Sequence, residues 1–261
     1  MASIKGYLID LDGVVYQRHA LIPGSADALH RLDRAGIPYL FVTNTTSKPV
    51  SAIIATLEAL GLSYPPVRFL TPAMAARAYL AKHRLRPHFL VRPALLEDFS
   101  GLPLLPDTAA QAVVMADAGD DLNYANLNRA FRLLDQGADL IALAGNRYFL
   151  DTDGIRSLDA GAFVAALEFA SGRQAKILGK PSRDFFLAGA GALGLTPEDV
   201  GMIGDDAQFD VSAAISAGLA GFLVRTGKYA PGDEHAVQPA PTGTAADLAG
   251  VIAMTLAAAK R

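Results

Sequence analysis

The chain has 261 residues, enough for one large core or two modest ones, and 51% of them are hydrophobic, which excludes a disordered chain. Lys+Arg 23 against Asp+Glu 26 leaves a net charge of −3, so no strong positive field invites nucleic acid or an anionic membrane. The absence of cysteine excludes disulfides, thiolate nucleophiles and zinc-thiolate centres.

The N-terminal stretch reaches Asp10 too early for a secretory hydrophobic region, and a cytoplasmic location is expected. Tyr7-Leu8-Ile9 reads as a short buried parallel strand ending at Asp10. Ser25–Ala35 has helical spacing through Ala28, Leu29 and Leu32 and stops at Gly36, a C-cap signal. Tyr39–Val42 is the next strand, with Thr43-Asn44 at its end, and a helix over about 49–60 closes on Gly61. This β-α-β-α alternation argues for a parallel, right-handed doubly wound sheet.

The pattern then starts afresh. Strands are predicted at His88–Val91, Ala112–Ala116 and Leu140–Leu143, and helices at Tyr124–Leu134 and Ala160–Ala170. Strand Ala175–Leu178 leads to Gly179-Lys180-Pro181. Helix Asp184–Leu193, strand Val200–Ile203, helix Asp210–Ala217 and strand Gly221–Val224 follow. The apolar tail Leu248–Ala259 is shorter than the roughly 20 residues a spanning helix needs and reads as a terminal core-packing helix. Motif-bearing segments lie only in the outer parts. The expected organisation is therefore a Rossmann-like α/β core at 1–72 and 178–261, with an inserted α/β domain at 73–177.

Four stretches carry the chemistry: Asp10-Leu11-Asp12-Gly13-Val14-Val15-Tyr16, Val42-Thr43-Asn44, Gly179-Lys180-Pro181, and Gly204-Asp205-Asp206 running to Asp210. Each falls at a strand end or helix start, where open α/β sheets place their ligands. Asp10 and Asp12, two residues apart on extended backbone, face one space. One can attack phosphorus while the other shuttles a proton to the leaving oxygen. Neighbouring carboxylates facing a phosphate require a hard cation, and Mg²⁺, which uses few protein oxygens, suits Asp10 with Asp205. Thr43 and Asn44 supply hydrogen bonds to phosphoryl oxygens, Lys180 a point charge, and Asp210 a partner that holds Lys180.

Other readings of these residues fail on spacing. An EF-hand wants glycine sixth in its loop, whereas Gly13 is fourth. Gly189-Ala190-Gly191-Ala192-Leu193-Gly194 matches a dinucleotide fingerprint formally but sits in a helix-like stretch. Gly179-Lys180 runs into Pro181 and has Gln174 where a Walker loop needs its first glycine. The five histidines show no metal-ligand spacing.

Together the motifs resemble those of haloacid dehalogenase (HAD) superfamily phosphatases of the C2-capped subclass IIA. This group includes NagD-like, 4-nitrophenylphosphatase-like and pyridoxal phosphate phosphatase-like proteins. Ala116–Gly119, Gly145–Tyr148 and Val224-Arg225-Thr226-Gly227-Lys228 are similar to the branch with the phospholysine phosphohistidine inorganic pyrophosphate phosphatase. The resemblance implies Asp10 as nucleophile and Asp12 as general acid/base. It implies Mg²⁺ on the carboxylates of Asp10 and Asp205 and the carbonyl of Asp12, with Thr43, Asn44 and Lys180 on the phosphoryl group. Of the pair Asp205-Asp206, motif spacing favours Asp205 as direct ligand, with Asp206 and Asp210 supporting. Asn146, Arg147 and Tyr148, after the insert strand Leu140–Leu143, are the specificity candidates. A small phosphorylated metabolite is the expected substrate, and pairing of two copies through the cap is a further expectation. The competing function classes are a phosphate-accepting receiver and an inactive member of the fold.

Overall fold

A computed structural model describes residues 4–102, 110–150 and 155–258. It divides into two compact units: residues 1–43, 54–70 and 180–261 in one, and 44–53 and 71–179 in the other. Helix Val50–Ala59 runs across the boundary at residues 53 and 54.

The first unit is built on a six-stranded parallel sheet. Its order is Gly243–Ala245, Ala220–Val224, Val200–Gly204, Gly6–Asp10, Tyr39–Val42, Phe69–Leu70. The chain starts in the middle at Gly6–Asp10 and winds out through Tyr39–Val42. It later returns to the other side of Gly6–Asp10 through Val200–Gly204. The sense of winding thus switches between these two central strands, the place where doubly wound sheets bind ligands. Both strands are buried along their whole length, which is why they read as unbroken apolar runs rather than alternating ones.

Helix Ser25–Ala35 ends on Gly36 in the left-handed region (φ 64°), the conformation a glycine C-cap allows. Helix Arg183–Ala192 lies close to the sheet. A Cβ on its Gly189 would sit 2.8 Å from Leu8 Cδ1, whereas one on Gly191 would meet nothing within 4 Å. Of the fingerprint-like glycines, Gly189 is thus a helix-packing residue, and Gly191 lies on the open face of the same helix. At the C-terminal end, the Tyr7 hydroxyl donates to Thr255 Oγ1 at 2.6 Å and fastens helix Leu248–Ala258 to the central strand. Ala259, the last residue of the predicted tail helix, lies outside the described residues.

The second unit has a four-stranded parallel sheet, ordered Lys176–Ile177, Asp139–Ala142, Ala112–Met115, Pro87–Leu90. Alternate residues of its central strands feed two cores. Ala112, Val114 and Ile141 pack with Ala73, Leu80 and Phe99, while Val113, Met115, Leu140 and Ala142 pack with Leu134, Val164 and Leu167. The period-two alternation of a strand thus places apolar packing on both faces of this sheet.

Several elements depart from the sequence reading. Helix Pro72–His83, capped by Thr71 accepting from the Met74 amide at 3.2 Å, and the antiparallel pair Tyr148–Leu150 with Arg156–Leu158 were not expected. Instead of one helix over Asp210–Ala217, a wide π-type turn spans Ala207–Ser212 before a short α-helix, Ala213–Ser216. The cause is Asp206, whose carboxylate accepts from the Gln208 and Phe209 amides at 3.1 and 2.8 Å and starts the turn three residues early. No described helix is long and apolar enough to cross a membrane.

The two helix glycines give opposite expectations. Gly189→Val should cost about 1–3 kcal/mol by overpacking against Leu8, and Gly191→Ala should add about 0.5–1 kcal/mol by helix propensity. Urea melts of the two variants check this, and equal effects would refute the packing argument.

Candidate active site

The register of the parallel sheet assembles the first unit's site. Ile9 lies beside Ile203 and Asp10 beside Val42, so Asp10, Thr43 and Asp205 emerge at neighbouring strand ends. Lys180 and Asp210 are brought in by the segments flanking the sheet. The Lys180 ammonium donates to Asp10 Oδ1 at 2.8 Å and pairs with Asp210 Oδ1 at 2.7 Å. Asp10, Asp205, Asp210 and Lys180 are all between 1% and 6% exposed. The three acids offer oxygens that lie within 4.8 Å of one another.

Three buried carboxylates against one buried ammonium leave an excess of negative charge, and Asp10 and Asp205 resist ionising although the Lys228 charge pulls the other way. Burial drives the Asp10 carboxyl up to about 6 against the pull of Lys180, with Asp210 adding to the rise. Asp205 is pushed up to about 7 by burial first, then by Asp10 and Asp210. For Lys180, burial alone would favour the neutral amine, but Asp10 and Asp210 outweigh it and hold the ammonium above its ordinary range.

Asp205 divides its two oxygens. Oδ2 accepts from the backbone amide of Lys228 at 2.7 Å. Oδ1 is buried and has no hydrogen-bond partner among the described residues. A bare buried carboxylate oxygen is expensive unless something charged meets it. A divalent cation fits this donor set, since three hard oxygens and an uncompensated charge are what such an ion neutralises.

The remaining expected residues take distinct places. Asp12 is exposed just beyond the strand. Thr43 is buried. Asp206 uses one oxygen to start the π-type turn, and its other oxygen stands 3.8 Å from Lys228 Nζ. Asp210 also accepts from the Asp206 amide at 3.3 Å, and Gly204 makes room for it, because a Cβ there would lie 2.3 Å from Asp210 Cβ.

Asn44 belongs to the second unit, where its Oδ1 would stand 2.7 Å from a Cβ on Gly179. A cavity of about 550 Å³ in this unit is lined by the loop Asn44–Lys48, by Arg92 and Asp117, and by Phe149. Arg92 forms a two-pronged ion pair with Asp117, Nε to Oδ2 at 3.1 Å and Nη2 to Oδ1 at 3.2 Å. Asn146 and Arg147 use their carbonyls to accept from Gly161 and Asp159 amides. The Tyr148 ring lies 4.5 Å beneath the Arg156 guanidinium.

Sequence reasoning gave no role to Gly13, Thr226, Gly227 or the Lys228 amide. The signal was present in Val224-Arg225-Thr226-Gly227-Lys228, but a backbone donor has no residue-type signature.

This geometry agrees with what the chain is similar to. A family model described as haloacid dehalogenase-like hydrolase matches residues 7–101, and one described as HAD-hydrolase-like matches residues 177–251. The chain belongs to the haloacid dehalogenase-like hydrolases, and it is a HAD-family phosphatase of the subclass IIA type. Human haloacid dehalogenase-like hydrolase domain-containing protein 2 is 39% identical over 239 residues, covering 92% of this chain and 91% of that one. Phospholysine phosphohistidine inorganic pyrophosphate phosphatase of Xenopus laevis is 36% identical over 262 residues, covering 98% and 96%. Among solved structures, 4-nitrophenylphosphatase from Thermotoga maritima superposes with a TM-score of 0.89 at 26% identity, covering 96% of this chain and 97% of that one.

The central ion pair makes a pH-dependent prediction. Lys180→Met should destabilise the cation-free chain by about 3–5 kcal/mol at alkaline pH, because it strands buried carboxylates. The Asp10 carboxyl titrates near 6, so the loss should shrink in mildly acidic buffer, where a proton replaces the ammonium as partner. Urea titrations in chelator at both pH values test this; an equal or larger loss in acid would contradict it.

Proposed function

We propose that the chain is a Mg²⁺-dependent phosphomonoesterase that hydrolyses a small phosphorylated metabolite through an aspartyl-phosphate on Asp10. The observation that carries this reading is the buried Asp10–Asp205–Asp210 cluster around Lys180, with Asp205 Oδ1 bare. Held by the carboxylates of Asp10 and Asp205 and the carbonyl of Asp12, Mg²⁺ would supply the positive charge that lets an anionic carboxylate approach an anionic phosphoryl group.

The chain's own residues do the rest. An Asp10 carboxylate oxygen attacks phosphorus, forming the O–P bond as the bond to the leaving oxygen breaks. Asp12 gives its proton to that leaving oxygen. In the second half, Asp12 takes a proton from water as the water oxygen attacks phosphorus, releasing inorganic phosphate and restoring Asp10. Its exposure suits a group that must exchange protons with solvent. Lys180 balances charge developing on the phosphoryl oxygens, Asp210 keeps Lys180 in place, and Thr43 and Asn44 hydrogen-bond the group being transferred.

Asp10→Asn should abolish phosphate release, since an amide is a poor nucleophile. Asp12→Asn should slow hydrolysis of alkyl phosphates by roughly 10²–10⁴ and of p-nitrophenyl phosphate much less, because nitrophenolate hardly needs a proton. Steady-state phosphate release across leaving groups decides this. An equal loss for good and poor leaving groups would remove Asp12 as the acid.

Cation binding should compete with protons. The Asp10 and Asp205 carboxyls titrate near 6 and 7, so Mg²⁺ affinity by calorimetry should fall roughly 10–100-fold between about pH 7.5 and 5.5. The sign for stability follows. Above the ordinary carboxylate range and below about 7, the folded chain binds more protons than the unfolded one, so these two groups weaken the cation-free fold as pH rises. The Mg²⁺-induced rise in Tm should therefore be larger at the higher pH, and a pH-independent shift would sink the metal assignment.

A further inference from the structure

The loop after strand Ala220–Val224 meets the Asp205 carboxylate through its main chain. The Lys228 amide donates to Asp205 Oδ2 at 2.7 Å. The Thr226 hydroxyl donates to the carbonyl of Gly13, one residue beyond Asp12. Gly13 and Gly227, both in the left-handed region (φ 84° and 62°), close on the same carboxylate oxygen. A Cβ on Gly13 would sit 2.1 Å from Asp205 Oδ2, and one on Gly227 2.0 Å from it. Neither could be accommodated without moving Asp205, because the atoms behind it are the other glycine's backbone: the Gly13 Cβ would lie 2.9 Å from Gly227 Cα, and the Gly227 Cβ 2.6 Å from Gly13 Cα.

These contacts all fall on one oxygen. Oδ2 is enclosed by two glycine backbones and satisfied by an amide, while Oδ1 of the same carboxylate is buried without a partner among the described residues. A carboxylate free to rotate would exchange its oxygens or chelate through both. Here the amide and the glycine walls hold Oδ2 and leave Oδ1 as the oxygen without a partner among the described residues.

We propose that Thr226-Gly227-Lys228 is a positioning strap that presents Asp205 to the cation through Oδ1 alone. The Thr226–Gly13 hydrogen bond ties that strap to the turn carrying Asp12. Thr226, Gly227 and the Lys228 amide are positioning groups, since they act through Asp205 and the Gly13 carbonyl. The inference rests on the proposed cation site. The small Mg²⁺ ion demands near-ideal octahedral geometry, so a carboxylate held in one pose binds it better than a mobile one. Partners that orient metal ligands typically change affinity by about 10–100-fold when removed.

Calorimetric titration of the full chain with MgCl₂ tests the strap, using Thr226→Val, Thr226→Ser and Gly227→Ala alongside the unmodified chain. Thr226→Val removes the donor with almost no change in shape, and should weaken Mg²⁺ binding by roughly 10-fold or more. Thr226→Ser restores the hydroxyl and should recover most of that loss. Gly227→Ala should weaken binding further. With p-nitrophenyl phosphate, the Mg²⁺ concentration for half-maximal rate should rise in Thr226→Val, while the KM measured at saturating Mg²⁺ stays near the unmodified value.

Urea midpoints in chelator separate positioning from folding, and the Thr226 pair carries the test if Gly227→Ala does not fold. Mg²⁺ affinity within two-fold of the unmodified chain in Thr226→Val overturns the strap, as does an equal loss in the valine and serine variants. If the unmodified chain itself binds no Mg²⁺, the cation site falls and takes the strap with it. Normal binding by the unmodified chain and by every variant removes the strap alone.

Discussion

Everything in the first unit is arranged around one buried contact, the Lys180 ammonium held 2.8 Å from Asp10 and 2.7 Å from Asp210. Burying ions costs several kcal/mol each, and a pair recovers that cost only with close geometry and further hydrogen bonds. Lys180 meets the geometric condition with two partners, yet it cannot neutralise a third carboxylate. Asp205 is the remainder, raised to about 7 by burial and its acidic neighbours. A fold selected for stability alone would have replaced this cluster with apolar side chains. A ligand bringing positive charge could be held by these acids, and its binding would offset the electrostatic cost of the folded state.

The parallel topology is what makes the contact attainable. Lys180 and Asp10 are 170 positions apart in the chain. They meet because doubly wound connections return each successive segment to the same C-terminal edge of the sheet. Steric demands then fix the smaller residues of the motifs. Gly204 stands where a Cβ would collide with Asp210, and Gly13 and Gly227 stand where one would collide with Asp205. The glycines in Asp-x-Asp-Gly and Gly-Asp are there because the carboxylates approach within van der Waals distance of main chain, closer than any side chain would permit.

The same physics explains which parts of the structure were legible beforehand. Gly6–Asp10, Tyr39–Val42 and Val200–Gly204 are buried on both faces, so each announces itself as an apolar run broken by an acid, a threonine or a glycine. Helix Ser25–Ala35 carries a clean apolar stripe and a glycine stop. Helix Pro72–His83 does not, since five of its twelve residues are alanine and its buried face looks like its exposed one. Only the Thr71-Pro72 start signal marks it. The two-residue strand Phe69–Leu70 and the three-residue strand Gly243–Ala245 are too short for any period to register. The π-type turn at Ala207–Ser212 depends on a side chain capping two amides, a choice that spacing alone does not reveal. The Lys228 amide escapes for a related reason: it belongs to the backbone, and any residue but proline would supply it.

The two units hold their polar groups in contrasting ways. In the first, the charges of Asp10, Lys180 and Asp210 are buried and paired, the condition for electrostatic stabilisation that needs no rearrangement. In the second, the cavity beside Asn44 is bordered by Arg92 and Asp117, which spend their charge on each other while remaining partly open to water. A partly exposed ion pair contributes little to stability and can exchange one partner for a ligand group at modest cost. A rigid buried cluster presents the same groups to whatever approaches it. An accessible pair beside a polar cavity differs from it in kind, because contacts open to water change in value with the group presented, whereas buried pairs do not.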